Sequence, residues 1–371
     1  MSAPFDKPLK RWETEGGALD AGLFDENARL TAGVDPLFAQ IGDFVTTSGA
    51  IIKNATIAYQ TFGEFTGDNA ILICHALTGT SNVVGWWDRI VGPGLAIDTD
   101  KYFVIGNNLL GGCQGSTGPS TVVDGAALGS GFPVLTIEDQ VSAQAALLPT
   151  LGVENLRAVV GCSTGGFHAL EWATQREVPV VKVVISASGP RQNARQLALN
   201  EAARQAIMRD PKWLGGDYPL NDPPSQGLAL ARMIGHIAYL SGQALETKFG
   251  RSVQNDKMAF TLDPTFSVES YLNYQGDKFT DRFDANSLLI LTRAANFFDL
   301  QSLDGALADF LFIAFTSDTL FPVSMSRELH EMARSAGLKS RVVEIDLPFG
   351  HDAFLLDGDE QGAAIREFLH T

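Results

Sequence analysis

Residues 158–173 read AVVGCSTGGFHALEWA and place a glycine-rich turn between two segments of different character. The run LRAVV (156–160) is apolar and partly β-branched, which favours a strand, whereas GFHALEWATQ (166–175) favours a helix. Within the turn, Gly161 and Gly165 flank Ser163 in a G-x-S-x-G pattern. Because a turn this tight has no room for side chains at its flanks, the pattern predicts that Ser163 is raised from the strand end as a nucleophile.

The neighbouring cysteine is the alternative nucleophile. For Cys162 to be the central residue, glycines would be needed at positions 160 and 164, which hold Val160 and Thr164. The glycine spacing therefore favours Ser163, and we interpret Cys162 as a small, semi-buried neighbour of the site.

The rest of the chain alternates between predicted strands and helices. TIEDQVSAQAALLPTLG (136–152) begins with Thr136 and two acidic residues, which is typical of a helix start. Strands are predicted from short apolar runs at 55–63, 70–77, 102–108, 156–163, 180–188, 309–317 and 340–346. This alternation and the strand–turn–helix serine together predict an α/β-hydrolase fold with a mostly parallel sheet.

The alternation stops between about residues 189 and 303, where the chain is mostly helix-like. We predict a helical lid domain at 190–302, inserted into a core domain formed by residues 1–189 and 303–371.

A serine nucleophile needs a base and an orienting carboxylate, which follow it in this fold in the order Ser…Asp/Glu…His. Asp318 directly follows the predicted strand DFLFIAFTS, and His351 lies in the loop LPFGHDAF after the last strand. The other histidines after Ser163 lie on the turn helix, in the lid, in an exposed-looking helix or next to the C-terminus: His168, His236, His330 and His370. We predict Asp318 and His351 as the partners of Ser163.

The oxyanion hole is predicted from two backbone amides. One belongs to Thr164, the residue after the nucleophile. The other belongs to Leu77 in the loop HALTGTSNV (75–83), where His75 is interpreted as structural.

Composition excludes several classes of function. A net charge of −16 argues against nucleic acid and anionic membranes as partners. Three cysteines without a CxxC pair, no apolar signal-peptide core in residues 1–17 and no bilayer-length apolar run favour a cytoplasmic protein. Metal-binding and phosphate-loop motifs are absent, so no metal and no tightly bound cofactor are predicted.

Taken together, these segments resemble the homoserine O-acyltransferases of the α/β-hydrolase type, which act in methionine biosynthesis. The resemblance runs from AYQTFGE (58–64) nearly to the C-terminus, through the segments 74–120, HALEWA, 270–294, SDTLFP and GHDAF. It implies an acyl-CoA substrate, an acyl-serine intermediate and transfer to a small hydroxy amino acid. It further implies that Arg232, Tyr239 and Asp352 bind the amino acid, and that the protein is a homodimer.

The sequence also departs from the family pattern, at Cys162, Thr164, Phe167 and His168, which we expect to bear on the acyl pocket. An L-homoserine O-acetyltransferase is the favoured activity. A serine or homoserine O-succinyltransferase, and an esterase that uses water as acceptor, remain open alternatives.

Overall fold

An eight-stranded sheet forms the centre of the computed structural model, which describes residues 35–175, 177–254, 258 and 260–371. The N-terminal stretch 1–17, on which the prediction against secretion depends, lies outside the described residues. The sheet strands are β1 (Leu37–Val45), β2 (Ile51–Phe62), β3 (Ala70–Cys74), β4 (Phe103–Asn107), β7 (Leu156–Cys162), β8 (Val180–Ser186), β9 (Asp309–Phe315) and β10 (Ser340–Ile345). A separate ribbon pairs β5 (Val122–Val123) with β6 (Ala126–Ala127).

The strand order in the sheet is β1-β2-β4-β3-β7-β8-β9-β10. β2 is antiparallel to both β1 and β4, and from β4 to β10 each neighbouring pair is parallel. Because parallel strands end at the same edge of a sheet, the segments after β3, β7, β9 and β10 come together there. The predicted fold class, a mostly parallel α/β-hydrolase sheet, is confirmed.

The sheet is covered on both faces. One core cluster contains Phe167 and Trp172 from the turn helix, and the cluster on the other face contains Trp87 and Ile365. The central strands are buried along almost their whole length, which explains why their sequences are apolar rather than alternating.

Eleven α-helices lie within the described residues. Their bounds are α1 (Val83–Trp86), α2 (Ile137–Leu147), α3 (Gly165–Thr174), α4 (Ala194–Met208), α5 (Ser225–Tyr239), α6 (Gly242–Lys248), α7 (Ser267–Thr280), α8 (Ala285–Phe297), α9 (Val323–Ser335), α10 (Ala353–Leu356) and α11 (Glu360–His370). The predicted start of α2 is confirmed: the hydroxyl of Thr136 accepts from the amide of Asp139, and the Asp139 carboxylate accepts from the amide of Thr136. Across the described residues, none of the helices has the length and apolarity needed to cross a bilayer.

Helices α4 to α8 lie between β8 and β9, in the region predicted as a lid. Arg191, at the start of this insertion, forms an ion pair with Asp299 near its end and another with Glu328 of α9. Ile290 and Ala294 of α8 belong to the same core cluster as the sheet. The last helix of the insertion is therefore part of the core packing, and the boundaries at 190 and 302 stay a prediction.

Sequence patterns did not predict the edge strand β1. β1 is interrupted by shifts of register around Gly42 and leaves Leu37, Phe38 and Val45 more than half exposed. It therefore shows neither the alternation of a half-buried strand nor the apolar run of a buried one.

Candidate active site

The turn between β7 and α3 has the geometry that the glycine spacing predicts. Ser163 has a positive φ of 54°, a conformation that a side chain adopts only under strain. A Cβ atom on Gly161 would lie 2.1 Å from the carbonyl oxygen of Gly165, and one on Gly165 would lie 2.1 Å from that of Cys74. Neither position admits any other residue, so the glycines allow the strained turn that presents Ser163.

The predicted triad residues are joined by two hydrogen bonds. Nε2 of His351 lies 2.7 Å from Oγ of Ser163, and Nδ1 of His351 lies 2.7 Å from Oδ2 of Asp318. All three side chains are buried. Residues that are 188 and 33 positions apart in the chain thus form one continuous Ser–His–Asp arrangement.

The orientation of Asp318 is fixed by the backbone. Its Oδ1 accepts from the amides of Leu320 and Phe321, at 2.8 and 2.9 Å, which leaves Oδ2 for His351. Because an ionised carboxylate only accepts, Nδ1 of His351 carries the proton and Nε2 is left to accept from the Ser163 hydroxyl. The imidazole ring also stacks on Phe321, at 5.3 Å between centroids.

The pKa of His351 is raised above its ordinary value of about 6.5. Burial alone lowers this pKa, but the negative charge of Asp318, its hydrogen bond to Nδ1 and the charge of Asp352 together outweigh the burial. His351 is therefore a stronger base than a free imidazole.

This raised pKa predicts the acid limb of the pH profile. Only neutral His351 can take the Ser163 proton, so the acylation rate should fall as pH drops through a pKa above that of an ordinary histidine. Asp352→Asn removes a charge that raises this pKa and should move the limb to lower pH. Because Asp352 is also predicted to bind the amino acid, the measurement is the release of p-nitrophenol from p-nitrophenyl acetate without any amino acid.

The matched control is Asp304→Asn, which removes an exposed carboxylate that does not contribute to the shift of His351. Its profile should superimpose on that of the parent protein. A limb that stays in place in Asp352→Asn would contradict this account of the base.

The residues predicted to donate to the oxyanion, Leu77 and Thr164, line the same cavity as Ser163. Thr164 directly precedes α3, where the positive end of the helix dipole favours an anion. Leu77 lies in a tight turn closed by a 2.9 Å hydrogen bond from the amide of Gly79 to the carbonyl of Ala76. Among the described residues, neither the Leu77 nor the Thr164 amide donates to another protein group, so both can donate to a substrate oxygen.

One cavity of about 180 Å³ contains the predicted catalytic and binding residues together. The residues lining it that the sequence predicted are Ser163, Thr164, Leu77, His351, Arg232, Tyr239 and Asp352. Arg232 and Tyr239 come from α5 of the lid region, and Asp352 follows the base on the core side. The cavity therefore lies between helices of the region predicted as a lid and the carboxyl edge of the sheet.

The three residues predicted to bind an amino acid differ in charge. Arg232 is buried, with its guanidinium carbon 4.8 Å from the Phe279 ring and 5.9 Å from the Tyr239 ring. Burial lowers the pKa of the Lys248 ammonium to about 8, and the negative charge of Asp352 acts against this shift. The same charge raises the pKa of His351. The cavity wall thus carries a cation from the lid and an anion beside the base.

Cys162, His75, His168 and His330 do not belong to the triad and do not line the cavity. Burial raises the pKa of the Cys162 thiol, the opposite of what a cysteine nucleophile needs, and the side chain does not line the cavity. Burial lowers the pKa of His75 to about 4, and its Nδ1 lies 2.6 Å from the carbonyl oxygen of Ala76. His168 is bonded within the core to Gln140, and His330 is bonded to Ser340.

The departures from the family pattern fall mostly outside the cavity. Of Cys162, Thr164, Phe167 and His168, only Thr164 lines it. Phe167 packs in the core against Phe298, at 4.9 Å between ring centroids. Cys162, Phe167 and His168 are buried but do not line the cavity, so the expectation that they bear on the acyl pocket stays a prediction.

Sequence reasoning missed several polar residues of the cavity wall. His236 follows Arg232 by four residues and so shares its helix face, a signal that the sequence contained. Gln196 and Asn200 of α4, and Gln192 just before that helix, recur at the same spacing and also line the cavity. Within the part of the chain that the structure describes, no cluster of three or more His, Cys, Asp or Glu residues could hold a metal ion.

The fold and the Ser–His–Asp arrangement are those of α/β hydrolases, and the family model for the alpha/beta hydrolase fold matches residues 69–357. Several relatives are homoserine O-acetyltransferases. The protein of that name from Caulobacter vibrioides is 44% identical over 87% of this chain and 91% of its own length. That of Natronomonas pharaonis is 44% identical over 89% and 90%. The chain belongs to the homoserine O-acetyltransferase family.

Solved structures resemble the chain over a similar extent. A homoserine O-acetyltransferase from Bacillus anthracis has a TM-score of 0.84 at 27% identity, covering 91% of this chain and 97% of its own. Esterase E22 has a TM-score of 0.82 at 29% identity, covering 90% and 99%. Acetyltransferases and esterases thus share this architecture, and the site must distinguish them.

Proposed function

We propose that this protein transfers the acetyl group of acetyl-CoA to the hydroxyl of L-homoserine through an acetyl-serine intermediate. The observation that carries the proposal is a single cavity in which Ser163, bonded to His351, lies with Arg232 and Asp352. Membership of the homoserine O-acetyltransferase family supports the same activity. The reaction belongs to methionine biosynthesis.

In the first half-reaction, Nε2 of His351 takes the proton of Ser163 while Oγ attacks the thioester carbonyl. The carbonyl oxygen becomes an anion, which the amides of Leu77 and Thr164 stabilise. The carbon–sulfur bond then breaks and His351 gives its proton to the departing CoA thiolate. CoA leaves as a thiol, and the acetyl group stays on Ser163.

In the second half-reaction, His351 takes the proton of the homoserine hydroxyl, whose oxygen attacks the acetyl carbonyl. The same two amides hold the second oxyanion, and collapse returns the proton to Ser163. Both substrates use one site in turn, so the kinetics are ping-pong. Acetyl-CoA is a substrate here, and no tightly bound cofactor is needed for either step.

Recognition of homoserine follows from the charges of the cavity. The planar guanidinium of Arg232 matches the amino acid's carboxylate, and Asp352 matches its ammonium. Tyr239, one helical turn beyond His236 and tilted against His351 at 6.1 Å between ring centroids, completes the acceptor site. Water has neither charge, so these residues favour an amino acid over water as the acceptor.

The experiment measures thiol release from acetyl-CoA with and without L-homoserine, and identifies the product by mass spectrometry. Turnover that depends on homoserine and yields O-acetylhomoserine is expected. Equal release without any amino acid would identify an esterase. Faster turnover with succinyl-CoA would identify succinyl as the acyl group, and faster turnover with L-serine would identify serine as the acceptor. Serine and homoserine differ by one methylene, which is worth only about 1–3 kcal/mol of discrimination.

We also propose that the enzyme is a cytoplasmic homodimer, with no nucleic acid or membrane as partner. Its three cysteines are free thiols, as a reducing compartment requires. Leu230 and Ile237 of α5 and Tyr274 of α7 are about half exposed, and such apolar side chains on the lid favour association between copies.

The dimer predicts a molecular mass in solution of twice 39.8 kDa, measured by light scattering. Ile237→Glu should shift the protein toward the monomer, because it introduces a charge into an apolar contact. Ala202→Glu, on an exposed position of α4, adds the same charge elsewhere and should leave the mass unchanged. A parent protein that is monomeric at micromolar concentration would overturn this proposal.

A further inference from the structure

We propose that Arg282 is a positioning residue of the oxyanion hole, which acts through two peptide groups to orient and polarise the amide of Leu77. Arg282 lies in the lid region, between α7 and α8, and is not in the cavity wall. The inference rests on the proposed acyl-serine chemistry, but not on the identity of the amino-acid acceptor.

The first link is a hydrogen bond across 204 residues of chain. Nη1 of Arg282 donates to the carbonyl oxygen of Thr78, at 3.0 Å. That carbonyl belongs to the peptide group between Thr78 and Gly79, so the guanidinium charge lies at its negative end.

The second link leads to the oxyanion donor. The amide of the same peptide group, on Gly79, donates to the carbonyl of Ala76 at 2.9 Å. The carbonyl of Ala76 and the amide of Leu77 are the two ends of one further peptide group. Hydrogen bonds therefore run from Arg282 through two peptide groups, and the N–H of Leu77 stands at the end of the chain.

Such a chain has an electrostatic consequence. Each hydrogen bond that a peptide carbonyl accepts polarises the N–H of the same peptide group, and a cation at the start strengthens the effect. His75 acts on the same group, because neutral His75 donates from Nδ1 to the Ala76 oxygen. The Leu77 N–H is thus a stronger donor than an isolated amide, where an oxyanion needs it.

The position of Arg282 is itself fixed from two directions. Its backbone carbonyl accepts from Nε2 of Gln114 at 2.7 Å, and its guanidinium carbon lies 5.1 Å from the ring of Phe279. The lid region therefore contributes to the oxyanion hole as well as to the amino-acid site. A lid variant that disturbs Arg282 should slow chemistry even for substrates that never touch the lid.

This role predicts a pattern across the two half-reactions. An oxyanion forms in both, so Arg282→Ala should slow acylation by p-nitrophenyl acetate and transfer to homoserine by a similar factor. We expect about 10- to 100-fold in each rate constant, less than the loss of a donor itself, with KM for the ester within about twofold. Arg232→Ala should instead slow only transfer to homoserine.

The test measures the pre-steady-state burst of p-nitrophenol, then transfer from the preformed acetyl-enzyme. Added guanidinium ion should restore part of the Arg282→Ala acylation rate, which a merely structural defect would not allow. Arg282→Gln, which keeps a neutral donor, should lose about tenfold and serves if the alanine variant does not fold. Arg293→Ala is the control, since Arg293 is an exposed arginine of α8 whose guanidinium carbon lies 4.8 Å from the ring of Phe297 on the same helix.

Acylation at the parent rate in folded Arg282→Ala or Arg282→Gln would overturn the inference, as would a defect confined to transfer. The ester assay needs neither CoA nor an amino acid. If the protein proved to be an esterase, the acylation result would still decide the role of Arg282. If the protein transfers acetyl groups to homoserine but its acylation rate does not depend on Arg282, this inference fails and the proposed function stands.

Discussion

Ser163→Ala is expected to lower acetyl transfer from acetyl-CoA to homoserine by about 10⁴-fold or more, because no acetyl-enzyme can form. The hydroxyl lies 2.7 Å from its base in a turn that holds it in a strained conformation, and alanine has no atom to attack the thioester. The measurement is stopped-flow thiol release, together with intact-protein mass spectrometry after exposure to acetyl-CoA. The parent should gain one acetyl group and the variant none.

Cys162→Ala provides the matched control at the neighbouring position. Cys162 is buried on the face of the sheet opposite Cys74 and does not line the cavity, so its loss should cost stability rather than chemistry. We expect an acetyl-transfer rate within about threefold of the parent and a lower melting temperature. Acetylation that persists in Ser163→Ala and disappears in Cys162→Ala would identify the cysteine as the nucleophile.

The triad could be predicted because each of its residues is marked by a short pattern in the sequence around it. Gly161 and Gly165 mark the turn by excluding side chains, Asp318 follows the apolar run of β9, and His351 lies in the loop after the predicted strand β10. Once the strands are parallel, their ends meet at one edge, so residues far apart in the chain could be brought together without coordinates. The same logic predicted Leu77 and Thr164 as the amides that flank Ser163.

What the sequence could not predict depends on packing between distant segments. Nothing near Arg282 indicates a contact with Thr78, and nothing in GCSTGG indicates that Phe167 turns into the core while Thr164 faces the cavity. The edge strand β1 was not predicted, because its exposed residues show no pattern of burial in the sequence. The lid boundary is blurred for a related reason, since α8 lies in the predicted insertion but packs with the sheet.

Because acetyltransferases and an esterase share this fold, it is the charges in the cavity that distinguish the two activities. The fold supplies Ser163, its base and the two amides in either class of enzyme. Arg232 and Asp352 add a cation and an anion that an ester substrate does not require, one from α5 and the other from the loop that carries His351. A cavity that holds both charges at once fits a zwitterionic acceptor.

Asp318→Asn is expected to lower the acylation rate by about 10⁴-fold while leaving the fold intact. Oδ1 of Asp318 accepts two backbone amides, so an asparagine keeps its oxygen there and turns its NH₂ toward His351. That NH₂ donates to Nδ1, which forces the imidazole proton onto Nε2. His351 then presents a donor to Ser163 instead of an acceptor, and the base is lost although every heavy atom stays in place.

The variant separates the orienting role of Asp318 from a purely structural one. Thermal unfolding should change little, because the asparagine keeps the two backbone hydrogen bonds and the size of the side chain. Asp346→Asn, an exposed carboxylate after the neighbouring strand β10, should retain full activity. An acylation rate near that of the parent in Asp318→Asn would mean that His351 keeps its proton on Nδ1 without the carboxylate. Loss of activity together with loss of the fold would mean that Asp318 has a structural role. The geometry favours neither of those outcomes, since Oδ2 has His351 Nδ1 as its 2.7 Å partner and Oδ1 alone serves the backbone.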